Sequence, residues 1–178
     1  MRLSFTLFLL FVLFSFNLSK ANTFEINQSI YLIRHALEPG NGDPTDFDLL
    51  DYSTQRNLND VGILQSKEIG RFFLKNNIKI DDVYSSKWCR CKDTAKNAFN
   101  NYKELSLLNS FYSYPFNLNK DKQISDLRTF ILEFEYKSNI VFVTHYVVIA
   151  ELVNYFPKSG EIIQIDKNLN IINSFEIK

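Results

Sequence analysis

Ser29-Ile30-Tyr31-Leu32-Ile33-Arg34-His35 and Ile140-Val141-Phe142-Val143-Thr144-His145 are the two stretches that decide the fold. Each is a short run, almost wholly apolar, as expected for a strand buried on both faces of a sheet. Each runs into a histidine, and the chain has only 2. Around them strand-like and helix-like segments alternate. Asp82-Val83-Tyr84 reads as another strand, ending at Ser85-Ser86. Asn59 is placed to cap a helix reaching about residue 74, with Val61, Gln65, Ile69, Phe72 and Phe73 near one face. A further helix is expected from about residue 87 to 99. Ile124, Leu127, Ile131 and Phe134 mark an amphipathic one, and a last helix should follow His145 to about residue 155. A short strand is expected at 104–108, and a closing β-hairpin at 161–166 and 171–176. The alternation predicts an α/β fold, a three-layer, doubly wound, largely parallel sheet with helices on both faces and no cap domain. The connection from residue 36 to about 57 is rich in Gly, Pro, Asp and Asn and longer than usual, which marks it for function.

Composition narrows the class. Of 178 residues 46% are apolar and 22% charged, with 5 Gly and 4 Pro, which excludes a disordered, collagen-like or low-complexity chain. Its 2 cysteines exclude a disulfide-built miniprotein. Basic and acidic residues balance at 20 each, which argues against a dedicated nucleic-acid binder. The length suits one domain with a real core.

Residues 1–21 stand apart from that domain. Arg2 precedes an uncharged apolar run, and small residues follow at Ser19 and Ala21, the anatomy of a secretory signal. The apolar stretch 3–18 falls short of the ~20 residues a bilayer-spanning helix needs, which favours cleavage over an uncleaved anchor. The expected organisation is a signal peptide at 1–21 and one domain at 22–178. The mature chain is expected to be a monomer, exported to the periplasm or beyond the cell, with no membrane contact after cleavage. Cleavage removes Arg2 and Lys20, leaving 18 basic against 20 acidic residues and a net charge of −2. A bridge between Cys89 and Cys91 would close a very small, strained ring, and on a helix their side chains diverge. They read as small buried hydrophobes, with redox or zinc roles as lesser alternatives. The zinc alternative would combine them with His35 and His145.

The chemistry gathers at strand ends. In open α/β sheets ligands bind beyond the carboxyl ends of the strands, so His35, His145 and Arg34 can share one crevice. The third strand end supplies Ser85-Ser86-Lys87-Trp88-Cys89-Arg90. With Ser86 as cap, Arg90 lies about one turn into a helix whose N-terminus attracts anions. Arg34 and Arg90 each offer forked donors that suit a phosphate.

Arg34-His35-Ala36, then Ser85-Ser86-x-x-x-Arg90-x-x-x-Thr94-Ala95, then Val143-Thr144-His145 resemble, in order and spacing, the three motifs of the histidine phosphatase superfamily, the phosphoglycerate mutase-like fold. Leu58-Asn59-x-x-Gly62-x-x-Gln65-Ser66 resembles that family's helix-start signature. The resemblance spans nearly all of residues 29–166. Pro39-Gly40-x-Gly42-Asp43-Pro44, Gln55-Arg56-Asn57-Leu58, Trp88-Cys89-Arg90-Cys91, Leu108-Asn109-Ser110-Phe111 and Ser159-Gly160-Glu161 are similar to a group of small secreted members.

The resemblance implies a phosphatase of phosphate monoesters or phosphoramidates. His35 would be the nucleophile that becomes phosphohistidine. Arg34, Arg90 and a protonated His145 would surround the phosphoryl oxygens, with Arg56 as a further phosphate contact. Thr144 and the helix after it would add hydrogen bonds. No metal or cofactor is implied, and the partner is a phosphorylated substrate. Two positions depart from the family pattern. Ser110 stands where many members carry an acidic proton donor, and a serine cannot protonate an alkoxide efficiently at neutral pH. The acid would come from Glu38, Asp43, Asp48 or Asp51 in the long loop, or the leaving group needs none. Tyr146 stands where many relatives have glycine. The missing acid also leaves room for a phosphate-binding relative without turnover.

Overall fold

The computed structural model describes residues 28–135 and 137–177; the signal read at 1–21 lies outside them. Two strands with no polar side form the centre. β1 (Ile30–Arg34) and β4 (Ile140–Thr144) pair in parallel over their whole length, Ile30 opposite Ile140 and Arg34 opposite Thr144. On the far side of β4 lie β2 (Asp82–Ser85) and then β3 (Lys103–Glu104), both parallel to it. On the far side of β1 lies the hairpin of β5 (Ile162–Ile165) and β6 (Ile171–Phe175), β5 antiparallel to β1. The sheet order is β3-β2-β4-β1-β5-β6.

Because strand side chains alternate, each central strand feeds two cores. Ile30, Leu32, Ile140 and Phe142 pack on one face against Ile124, Leu127 and Ile131 of α3 (Lys120–Glu133) and Val148, Ile149 and Leu152 of α4 (Tyr146–Val153). Tyr31, Ile33, Val141 and Val143 pack on the other against Ile69 and Phe73 of α1 (Asp60–Lys75) and Cys91 and Ala95 of α2 (Cys89–Phe99). Helices therefore cover both faces, as the alternation predicts. The chain leaves β1 over one face toward β2 and leaves β4 over the other toward β5. The crevice opens where the two connections part.

Sequence alone does not identify what pins the strands at their far ends. Asn139 is buried; its Oδ1 accepts from Ser29 N (3.0 Å), and its Nδ2 donates to Lys79 O (2.7 Å). Its carbonyl accepts from Asp81 N (2.7 Å), so one side chain and its backbone tie together the starts of β1, β2 and β4.

Several local expectations shift. Asn59 caps α1 as expected, its side chain accepting from Gly62 N. The buried face of α1, however, is Gly62, Ser66, Ile69, Gly70 and Phe73, while Val61 is 56% exposed. Hydropathy does not register close approach. A Cβ on Gly62 would sit 2.0 Å from Leu37 O, and one on Gly70 2.3 Å from Ala98 O, so glycines set the contacts of α1 with the long loop and with α2. The strand expected at 104–108 is only Lys103–Glu104. A 3-10 turn, Ser106–Leu108, follows, because Leu108 turns inward and its carbonyl accepts from Thr144 Oγ1 (2.6 Å). Phe134 caps α3 rather than lying within it.

Gly70→Ala isolates the cost of that close approach. Alanine would add up to about 1 kcal/mol of helix propensity, yet the clash should cost about 1–3 kcal/mol. The urea midpoint is expected to fall; an unchanged or higher midpoint would show that α1 and α2 part freely.

Candidate active site

The three motif loops are held together by backbone hydrogen bonds that continue the sheet past its last residues. His35 N donates to Thr144 O (2.9 Å) and Ser86 N to Val143 O (3.0 Å), which sets the three strand ends side by side. From the other side Gly160 N lies 3.2 Å from Arg34 O and 3.1 Å from His35 O. Gly160 has φ +73°, and a Cβ there would come within 2.4 Å of the Gln65 side chain, so glycine is the residue that fits. Gln65 in turn accepts from Leu37 N (3.0 Å) and donates to Ser159 O (2.9 Å), bracing the start of the long loop.

His35 and His145 are 3% and 2% exposed, their ring centroids 5.4 Å apart at a steep angle. His35 Nδ1 lies 2.9 Å from Ala36 O. A carbonyl can only accept, so Nδ1 carries the proton and Nε2 carries the lone pair. The sequence could not name this acceptor, because it is a backbone atom of the adjacent residue. His145 is held at Nε2, 3.0 Å from Ser86 Oγ and 3.4 Å from Cys91 Sγ, with Trp88 edge-on against its ring.

Arg34, His35, Glu38, Asp43, Arg56, Arg90, Ser110 and His145 all line one cavity of about 320 Å³. Arg34 Nη1 donates to Pro157 O (2.9 Å), and its guanidinium carbon lies 5.3 Å from the centre of the Tyr146 ring. Arg90 Nη1 and Nη2 grip both oxygens of Asp43 at 2.7 and 3.1 Å, and Trp88 Nε1 donates to Asp43 Oδ2 (3.0 Å). Arg56 is paired in the same way with Glu38, which both its Nε and Nη2 reach, while its Nη1 donates to Gly42 O. The Nε atoms of Arg34 and Arg90 are buried and have no hydrogen-bond partner.

Other expected contributors lie elsewhere. Asp48 and Asp51 are outside the cavity and shape the loop: Asp48 Oδ1 accepts from Leu50 N, and Asp51 caps the 3-10 helix Tyr52–Thr54. Thr144 turns its hydroxyl to Leu108 O, away from the pocket. Ser86 does not cap α2, whose N-cap is Trp88; Gln55 Oε1 accepts from Cys89 N (3.0 Å) and Asn109 Oδ1 from Lys87 N (2.9 Å). Arg90 is therefore the second helical residue rather than one turn in, and Gln55 and Asn109 occupy donors that a bare helix start would offer an anion. Trp88 and Tyr112 make site contacts for which no local pattern provides a signal. Cys89 and Cys91 are both buried and free, as small hydrophobes would be. Burial pushes the Cys91 thiol up to about 12, so it stays neutral. Among the described residues no three His, Cys, Asp or Glu side chains converge as a metal-ligand set, so the zinc alternative has no geometry behind it.

The family model of the histidine phosphatase superfamily (branch 1) matches residues 30–108, which carry the first two motifs. Over those residues the chain is similar to that superfamily. No curated protein matches it. Solved structures share its fold at low identity. A protein histidine phosphatase, SixA, complexed with tungstate is 14% identical, covering 83% of this chain and 96% of its own, with a TM-score of 0.59. The alpha-ribazole phosphatase of Shigella flexneri is 16% identical over 78% of this chain and 90% of its own, with a TM-score of 0.58. A phosphoglycerate mutase from Thermus thermophilus is 14% identical over 85% and 100%, with a TM-score of 0.54.

The electrostatics of this pocket correct one expectation. Burial first, then the charge of Arg90, lowers the pKa of both His35 and His145 well below 6.5. Before an anion binds, His145 is neutral, not protonated. Burial, followed by mutual repulsion with Arg90 and Arg34, also lowers Arg56. Because the folded histidines bind protons less readily than the unfolded chain, their contribution to stability is full above about pH 6.5 and is lost as pH falls below it. The slope is up to about 1.4 kcal/mol per pH unit for each histidine. Urea midpoints of the ligand-free protein should fall between pH 7 and 5, and His145→Gln should remove about half of that slope. Flat midpoints in both proteins would contradict buried neutral imidazoles.

Proposed function

We propose that the chain is a phosphatase that hydrolyses a phosphate monoester or phosphoramidate through a phosphohistidine on His35, without a metal ion. The observation that carries this reading is the pair of buried Nε donors of Arg34 and Arg90 that make no hydrogen bond, Arg90 Nε lying 3.9 Å from Glu38 Oε1, on side chains that line one cavity with two adjacent imidazoles. An unpaired buried donor costs about 1–3 kcal/mol, more when charged, and a tetrahedral oxyanion supplies the missing acceptors. The names of two structural relatives, a protein histidine phosphatase and an alpha-ribazole phosphatase, agree with phosphatase chemistry on this fold.

The Nε2 lone pair of His35 attacks phosphorus while the bond to the leaving atom breaks and its electrons depart with that atom. Water then attacks phosphorus, the P–N bond breaks, its electron pair returns to Nε2, and inorganic phosphate leaves. Arg34, Arg90 and His145 stabilise charge on the phosphoryl oxygens, where most of the rate arises. Burial, and after it the positive charge of Arg90, keeps His145 neutral; a bound dianion supplies a counter-charge against both, so His145 acquires its proton on binding. Glu38 and Asp43 reach the cavity, but both oxygens of each are already engaged by arginine rather than turned to a leaving group. The reaction therefore favours leaving groups that depart unprotonated.

Purified protein should turn over p-nitrophenyl phosphate in excess EDTA and accumulate an acid-labile phosphoenzyme. His35→Ala should abolish both, and Arg34→Ala should lower kcat by about 10²–10³-fold. Turnover that survives His35→Ala, or that EDTA removes, would overturn the proposal. Phosphate binding with neither turnover nor phosphoenzyme would establish the non-catalytic alternative, which the Asp43 clamp on Arg90 favours.

A further inference from the structure

We infer that the organic part of the substrate is a flat aromatic ring, an aryl phosphate whose ring rests on Tyr112 and Tyr146 at the cavity mouth. The inference deepens the phosphatase reading and rests on it. Both tyrosines line the same cavity as the histidines and arginines. Their ring centroids are 6.2 Å apart, and the Arg34 guanidinium lies over the Tyr146 ring, so the two aromatic rings adjoin the arginine on one side of the pocket. Tyr112 is 60% exposed, a large apolar surface left wet beside a polar site. Such a π-face stacks on a planar ring with a gain that an aliphatic group of equal size does not reproduce.

The second line of argument is chemical. Ser110 lines the cavity where a proton donor would be useful, and its Oγ accepts from Tyr112 N (3.3 Å). The two pocket carboxylates are committed to arginines. Departure of an unassisted alkoxide is unfavourable, because an aliphatic alcohol is about as weak an acid as water, far weaker than a phenol. A phenol ionises near 10. In the balanced step His35 Nε2 bonds to phosphorus as the P–O bond to the aryl oxygen breaks, and that electron pair leaves on aryloxide, which takes its proton from solvent. The same tyrosine loop that fails to supply an acid supplies a surface for the ring that does not need one.

Two non-hydrolysable probes separate shape from leaving-group chemistry. By calorimetry, phenylphosphonate should bind about threefold to tenfold more tightly than cyclohexylphosphonate, which matches it in bulk but is not planar. Tyr112→Leu should abolish that preference, whereas Tyr112→Phe should keep it. In turnover, phenyl phosphate should exceed hexafluoroisopropyl phosphate, an ester of similarly acidic but non-planar alcohol, and Tyr112→Leu should lower the ratio of their kcat/KM values mainly through KM. Equal binding of the two phosphonates, or a preference indifferent to Tyr112→Leu, overturns the inference even if p-nitrophenyl phosphate is hydrolysed. A ring preference that depends on Tyr112 without any turnover upholds ring recognition and overturns the phosphatase reading alone.

Discussion

The parallel register of β1 on β4 is the constraint on which the site depends. Arg34 faces Thr144 across the ladder, and the next hydrogen bond, His35 N to Thr144 O, carries the pairing into the loops. A slip of one residue would send every side chain to the opposite face. In strands apolar on both faces hydrophobicity alone resists such a slip weakly, because either face accepts an aliphatic residue. Buried polar groups supply the missing specification. Asn139 ties the starts of three strands together at one end, and Glu161 O and Gly160 N bond to Arg34 and His35 backbone at the other. Residues remote from the chemistry thus determine how two imidazoles come to lie 5.4 Å apart.

Around that frame the pocket manages repulsion. Arg34, Arg56 and Arg90 crowd one small volume, each depressing the proton affinity of its neighbours or of the histidines. One loop supplies both counter-charges, Glu38 to Arg56 and Asp43 to Arg90. Buried pairs of this kind gain little net stability, since desolvation offsets much of the attraction. Their value lies in geometry. Arg90 is held by its two terminal nitrogens while its buried Nε makes no hydrogen bond and lies 3.9 Å from Glu38 Oε1, and Arg34 is held by one terminal nitrogen with its Nε likewise buried and in no hydrogen bond. For the proposed function, such donors are positioned before any anion arrives, which avoids reorganisation during reaction.

Much of this is legible in the chain. Two apolar runs ending in histidine mark the centre of the sheet, and the Asn59 cap, the amphipathic pattern at Ile124, Leu127 and Ile131 and the closing hairpin all lie where periodicity puts them. Local failures have local causes. The α1 face departs from its apolar pattern at Val61 because close approach of a glycine backbone carries no hydropathy signal. Ser86 has the residue type of a cap, yet its hydroxyl is drawn to His145, and glutamine and asparagine side chains from other loops satisfy donors around the start of α2.

Short-range pattern determined the elements and delivered His35, Arg90 and His145 to strand ends or the helix start beside them, because periodicity and chain order are properties of neighbouring residues. Tertiary structure alone decided which of four loop carboxylates enter the pocket, which tautomer His35 adopts and that His145 starts neutral. Those outcomes depend on desolvation and on atoms far apart in sequence, Asp43 with Arg90 across 47 positions and Ser86 with His145 across 59. A proton or an ion pair responds to the summed field of whatever folding brings near, and no local window of sequence contains that field.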